Sequence, residues 1–366
     1  MTLAPLIMLA AGGTGGHLFP AEALGVTLMQ RGYRVRLITD ARATRFSGLF
    51  SKDMMDVVPS ETMRGRSPIA LARTGLALGT GTAMAVALMR RLKPAAVVGF
   101  GGYPTLPPLF AARLCGIPTI IHDSNAVMGR ANRLMSKRVA AIATSLPGVL
   151  DHDRSLAAKT TMTGTPMRPA ILAASAVLYA APEIGGVLRL LIVGGSQGAR
   201  VMSDTVPGAI ERLEPALWSR LILTQQVRDE DMARVRAIYE RLKIQAELAP
   251  FFSDLPSRLA SSHLVISRSG AGTVAELAAI GRPSILVPLP GALDQDQFAN
   301  AGVLAAAGGA IRIAQPEFTP VRLAAEISAL AAEPSRLTAM ALGARTAGTL
   351  DAAERLADLV AKVAKI

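Results

Sequence analysis

Three features of the sequence predict an α/β chain of two like domains, each built on a parallel sheet. Short apolar or β-branched runs alternate with helix-length segments from end to end. A glycine-rich turn follows the first such run of each half, GGTGGH at Gly12–His17 and GGSQGA at Gly194–Ala199. The chain has 366 residues, more than one core of ordinary size and enough for two domains of roughly 150–200 residues. Hydrophobic residues make up 51% and charged residues 18%, so large cores can form and disorder is excluded.

The first buried strand is expected at Leu6–Ala10. The segment from Met1 has the apolar look of an export signal, but it lacks a positive start and runs straight into a glycine turn that needs a strand before it. Further first-half strands are expected at Val35–Thr39, Ala95–Gly99, Thr119–His122 and Ala140–Thr144. The second half repeats the rhythm at Leu188–Val193, Arg220–Thr224, Leu264–Ser267, Ser284–Val287 and Ala310–Ile313. Between the halves, TTMTGTPMRP at Thr160–Pro169 carries a glycine and two prolines and breaks any regular element. This places the domains at 1–163 and 164–346.

Thr74–Met89 is sixteen residues without a charge. It is short of the ~20 that span a bilayer, and Gly75, Gly79 and Gly81 interrupt it. A membrane-spanning helix is therefore not expected. The single Cys115 excludes an intrachain disulfide, and with no export signal it points to the cytoplasm. His17, His122, His152 and His263 form no metal-binding pair, so a zinc enzyme is not expected.

The net charge is +12, which favours anionic partners. Residues 31–93 hold twelve Lys or Arg against four acids, so +8 of the excess lies there. Apolar residues stand among those cations, from Met63 and Ile69 to Leu76 and Met84. Such a surface suits anionic lipid; a soluble helix with a basic rim is the plainer reading. Aromatics are only 4%, too few for stacking platforms, and nucleic acid is not expected.

A glycine turn that opens a helix lets backbone N–H groups approach a phosphate. Neither turn is GxGxxG: Leu18 stands where the third glycine would be, although Asp40 ends the second strand where a ribose-binding acid would sit. A third such element is SRSGAGTVAELAAIG at Ser267–Gly281. Thr273 and Glu276 there have capping-box spacing; the other reading of Glu276 is a carboxylate for ribose hydroxyls. The polar stretch Pro288–Ala301 adds Asp294, Gln295, Gln297 and Asn300, whose amides suit sugar hydroxyls.

GGTGGH, GFGGYPTLPP, HDSNAVMGRAN, GTPMR, GGSQGAR, SRSGAGTVAE and DQDQFANA occur in an order and spacing that resemble the MurG family of glycosyltransferases (family 28) over nearly the whole chain. These are the undecaprenyldiphospho-muramoylpentapeptide N-acetylglucosaminyltransferases of bacterial peptidoglycan synthesis. The resemblance implies a GT-B fold, two Rossmann-like domains with parallel sheets facing across a cleft. A C-terminal helix, 347–366, would pack back on the first domain. It implies a UDP-GlcNAc-dependent hexosyltransferase that moves GlcNAc, with inversion, to the C4 hydroxyl of MurNAc in lipid I, giving lipid II and UDP. No cofactor or metal is implied. The enzyme would lie peripherally on the cytoplasmic face of the inner membrane, among cell-wall synthesis and division proteins.

The resemblance places Thr14, Gly15, Gly16, Asn125, Arg168, Ser196, Glu276 and Gln297 at UDP-GlcNAc, with the Phe252 backbone at the uracil. It places Arg64, Arg66, Ile69, Arg73, Leu76, Arg90 and Arg91 at the membrane. Two departures from the family stand out. His122-Asp123-Ser124-Asn125 replaces His-Glu-Gln-Asn, and Gly164-Thr165-Pro166-Met167-Arg168 replaces Gly-Asn-Pro-Val-Arg.

Inverting transfer needs a base for the acceptor hydroxyl and charge stabilisation for the leaving diphosphate. His17 is the first candidate base, held neutral by the positive end of its helix. Asp123 is the second, or orients His17. Ser196, the second glycine turn and Arg168 would meet the leaving UDP. Asp294-x-Asp296 resembles a metal-binding DxD only in its letters, and His122 is expected to be structural. A nucleotide-sugar epimerase, a small-aglycone glycosyltransferase, an NAD-dependent oxidoreductase and a non-enzymatic nucleotide-binding module are the rival readings.

Overall fold

The computed structural model describes residues 4–12, 14–42, 48, 50–60, 67–150, 153–195, 198–291 and 296–366, without the side chains of 68–71. The chain divides into two units, Met1–Arg168 with Leu350–Ile366, and Pro169–Thr349. The division thus falls after Arg168 rather than at 163, so GTPMR belongs to the first unit.

The first unit contains β1 (Leu6–Ala10), β2 (Arg34–Thr39), β3 (Met55–Val57), β4 (Ala96–Gly99), β5 (Thr119–Asp123), β6 (Ala141–Thr144) and β7 (Thr160–Met162). They form one sheet in the order β3-β2-β1-β4-β5-β6-β7, and every pair is parallel. Every residue of β1 is buried, which accounts for its unbroken apolar run. The last helix, Ala352–Ala364, lies against the helix Gly15–Gln30; Leu356, Ala357, Leu359 and Val360 join Leu24 and Leu28 in one core. Arg31 pairs with Glu354 and, at 2.6 Å, with Asp358 across that contact.

The second unit contains β8 (Leu188–Val193), β9 (Leu221–Gln226), β10 (Gln245–Ala249), β11 (Leu264–Ser267), β12 (Ser284–Leu286) and β13 (Ala310–Arg312). Their order is β10-β9-β8-β11-β12-β13, again all parallel. Both units are Rossmann-like, and in both the strand order reverses beside the first strand. The crevice past the strand ends at such a reversal is where open α/β sheets bind ligands. The glycine turns after β1 and β8 lie there.

β3, β7 and β10 correct the expected layout, because no strand is expected near Met55, within Thr160–Pro169 or at Gln245–Ala249. Among the described residues, no helix is long and apolar enough to cross a membrane.

Candidate functional site

In the first unit, Thr14 caps the helix Gly15–Gln30 without a side-chain hydrogen bond, and the first turn contains no acid. The His17 N–H donates to the Thr14 carbonyl at 3.1 Å, while the Gly15 and Gly16 N–H groups and the positive dipole end have no partner within the helix itself. Gly13 lies outside the described residues. The two glycines that follow serve different ends. A Cβ on Gly15 would lie 2.9 Å from the Phe19 ring, whereas one on Gly16 would meet open space. Gly15 permits packing; Gly16 permits approach from outside.

The turn after β4 forms the floor beneath His17. Gly101 and Gly102 have φ of +89° and +77°, conformations that favour glycine. Side chains there would lie 3.4 Å from His17 Cε1 and 3.3 Å from His17 Cδ2, respectively. His17 is half-buried in the first turn of the helix. Burial is the main force holding its pKa below the usual 6.5; nearby Arg42 adds to this, while Asp123 and a hydrogen bond with the Phe100 backbone oppose it. The ring is neutral near pH 7, as a base must be, with burial rather than the helix end as the leading cause.

Asp123, at the end of β5, is 2% exposed. Its Oδ1 accepts from the Asn125 N–H at 3.0 Å. Its Oδ2 accepts from the Gly129 N–H and Asn132 Nδ2, both at 2.9 Å. A carboxylate with three such donors anchors the 124–129 loop, and with it Asn125, and is poorly placed to take a proton from an acceptor. Its effect on His17 is electrostatic.

His122 is fully buried; its Nε2 lies 2.9 Å from the Gly164 carbonyl and 3.3 Å from Ser145 Oγ. Thr165 Oγ donates to that same Ser145 at 2.7 Å. This network fixes the GTPMR segment. It carries Arg168 to the glycine turn, where its guanidinium carbon sits 3.9 Å from the centroid of the Phe19 ring. Asp40 is not available for a ribose: it is buried and bound to Arg42 through the backbone N–H at 3.1 Å and Nε at 2.7 Å.

In the second unit, the glycine turn is held by its neighbours. A Cβ on Gly194 would lie 2.2 Å from the Ala199 nitrogen, so only glycine fits. Gln226, at the end of β9, accepts from the Gly194 N–H at 2.9 Å and donates to the Gly195 and Pro250 carbonyls at 3.0 and 3.1 Å. It therefore joins the glycine turn to the segment leading to Phe252. Phe252 is buried with Arg258 over its ring at 4.4 Å, while Phe251 is exposed. Ser196 lies outside the described residues. The helix Arg200–Ile210 that follows also has no acid in its first turn.

The capping-box expectation fails. The helix Ala271–Ile280 is capped by Gly270, three residues before the expected Thr273, with no side-chain cap. Glu276 falls in its second turn, half-buried, beyond the reach of that cap. Ser269 Oγ donates to the Gln297 carbonyl at 2.8 Å, and Gln297 Oε1 accepts from the Leu289 N–H at 3.0 Å. These bonds tie Gln297 to the turn before the Glu276 helix. Asn300 is fully buried and donates to the Ser269 carbonyl at 3.3 Å, so it braces this turn rather than facing a sugar. Asp294 and Gln295 lie outside the described residues. Among the described residues, no group of three or more His, Cys, Asp or Glu is placed to hold a metal ion.

His152 also lies outside the described residues. His263, expected without a partner, accepts the Arg189 backbone N–H at 3.1 Å.

The helix Pro68–Leu92 carries the basic patch. Arg73, Leu76, Thr80, Met84, Ala87 and Arg91 are all exposed and recur at helical spacing, so they share one face, with Arg90 beside it. Ala85 and Met89 are buried on the other side. Leu78, Thr82, Phe110 and Leu114 line an adjoining groove with Arg113 and Arg138. Arg64, Arg66 and the Ile69 side chain lie outside the described residues.

Phe19, Gln226 and Asn132 were not singled out from sequence. Only a helical spacing of four, Gly15 to Phe19, hinted at the first. The other two act through tertiary contacts that leave no local pattern.

Comparison with known proteins completes the picture. Residues 7–144 match the glycosyltransferase family 28 N-terminal domain, and residues 189–356 match the family 28 C-terminal domain. The chain is 80% identical over 364 residues to a UDP-N-acetylglucosamine–N-acetylmuramyl-(pentapeptide) pyrophosphoryl-undecaprenol N-acetylglucosamine transferase of Rhodopseudomonas palustris (strain BisB18), covering 100% of this chain and 97% of that one. It is 79% identical to the protein of the same name from Nitrobacter hamburgensis, covering 100% and 99%. The crystal structure of Acinetobacter baumannii MurG is similar with a TM-score of 0.77 at 29% identity, covering 98% of this chain and 99% of that one. The architecture is therefore GT-B, and the chain belongs to glycosyltransferase family 28.

Proposed function

We propose that the protein transfers GlcNAc from UDP-GlcNAc to the C4 hydroxyl of MurNAc in lipid I, with inversion, forming lipid II and UDP for peptidoglycan synthesis. The observation that carries this reading is the repeated placement of a glycine turn and an acid-free helix start at the strand-order reversal of each unit.

Neutral His17 takes the proton of the acceptor hydroxyl as its oxygen attacks the anomeric carbon. The bond from that carbon to the diphosphate oxygen breaks, and UDP leaves with the electron pair. Single displacement inverts the anomeric centre. Arg168 and the second glycine turn, with Ser196, stabilise the charge that develops on UDP. Thr14, Gly15, Gly16 and Asn125 line the donor, Glu276 and Gln297 hold its hydroxyls, and the Phe252 backbone meets the uracil. The exposed face of Pro68–Leu92 rests on the anionic cytoplasmic leaflet, with the groove beside Leu114 and Arg138 extending it.

The test is transfer of label from UDP-GlcNAc to lipid I by the purified protein, with and without EDTA. Labelled disaccharide lipid in both samples supports the reading. No labelled lipid in either would end it, and tight NAD(H) binding without UDP binding would replace it.

A further inference from the structure

We propose that Phe19 is a positioning residue for the donor diphosphate: its ring holds the Arg168 guanidinium beside the open N-terminal turn of the helix Gly15–Gln30. This rests on the reading of Arg168 as a diphosphate ligand and adds how that cation is aimed.

One ring makes two contacts. The Arg168 guanidinium carbon sits 3.9 Å from the ring centroid. A Cβ on Gly15 would lie 2.9 Å from Phe19 Cε2 and 3.2 Å from Cζ. Phe19 is one turn beyond Gly15 on the same helix, so its ring lies against the first turn, where the Gly15 and Gly16 N–H groups have no acceptor within the helix. Thr14 and Gly16 on that turn are exposed. The guanidinium and the first-turn glycines Gly15 and Gly16 are thereby gathered around one ring.

The arrangement suits a diphosphate. A guanidinium held over an aromatic ring is fixed in place, and a guanidinium pairs with phosphate oxygens through its N–H groups. The stack also restricts the long side chain before ligand arrives, which lowers the ordering cost of binding. The Phe19 side chain has no polar atom, so its contribution passes through Arg168. Gly15 is required for the same reason: any side chain there would displace the platform.

The experiment is a double-mutant cycle on the full chain, reading KM for UDP-GlcNAc and for lipid I, kcat, and thermal unfolding. Phe19→Leu keeps apolar bulk and removes the aromatic face; Phe19→Tyr keeps the face. Phe19→Leu is expected to raise KM for UDP-GlcNAc about two- to thirtyfold with a smaller change in kcat, the range of a cation–π contact. Phe19→Tyr is expected to restore KM. Arg168→Ala is expected to raise KM further, and adding Phe19→Leu to it is expected to change nothing more.

If Phe19→Leu unfolds, Phe19→Met fills the space without an aromatic face and carries the same expectation. Wild-type KM in Phe19→Leu beside an impaired Arg168→Ala overturns the positioning role and leaves the Arg168 reading intact. Fully additive effects do the same. Wild-type kinetics in Arg168→Ala overturn the Arg168 reading itself. A rise confined to KM for lipid I overturns the donor-side placement.

Discussion

The two units share a strand order and a glycine turn after their first strand, yet they use the turn differently. In the first unit the turn is surrounded by ionisable groups: His17 on its glycine floor, Asp123 behind it and Arg168 over Phe19. In the second, Gln226 bonds across the turn and the Arg228 side chain packs against Gly198, while no histidine or carboxylate is bonded to the described glycines. On the proposed function, the fold supplies a phosphate cradle twice, whereas proton-transfer chemistry is added by side chains in one copy. Repetition of architecture therefore does not imply repetition of role.

The largest expected effect breaks this contrast at His17. His17→Ala should lower kcat by about 10²–10⁴-fold and leave UDP-GlcNAc affinity nearly unchanged by calorimetry. Unchanged turnover would remove His17 from the chemistry and make the two turns alike. Next is a feature of the first unit, the basic face of Pro68–Leu92. Reversing Arg73, Arg90 and Arg91 to Glu should weaken partition onto anionic vesicles by about a hundredfold or more, at ~1 kcal/mol for each cation near a surface. Vesicle binding at the wild-type level would refute the patch.

Glycine substitutions sharpen the comparison. Gly194→Ala should cost roughly 1–3 kcal/mol, because backbone must move to admit the methyl group. Gly16→Ala should leave thermal unfolding unchanged or slightly raised, since alanine favours the helix by up to ~1 kcal/mol, while it raises KM for UDP-GlcNAc. Equal unfolding temperatures for both variants would show that the second turn is no more tightly packed than the first. The smallest effect is in pH. Burial lowers the His17 pKa, and a base works above its pKa, so the acid limb of kcat/KM should lie below pH 6.5. Asp123 raises that pKa, so Asp123→Asn should move the limb slightly lower still. A shift to higher pH would contradict the electrostatic link between them.

Much of the architecture was legible because buried parallel strands advertise themselves. The ten expected strands all exist, displaced by two residues at most. The three that escaped, β3, β7 and β10, are edge strands whose residues are largely half-buried or exposed, so no apolar run marks them. The glycine turns were legible for the same reason that they matter, since close approach of backbone admits few residue types. Side-chain commitments were not. Asp40 and Asp123 look like available acids until Arg42, Gly129 and Asn132 are found bound to them. Thr273 and Glu276 have the spacing of a cap, but the helix begins at Ala271, on a glycine that sequence spacing did not favour.

The helix Ala352–Ala364 completes the core of the unit that contains the opening strand. During synthesis the first unit must wait for Ala352–Ala364, which is made only after Pro169–Thr349. A stop before Ala352 should therefore harm the half of the enzyme made earlier.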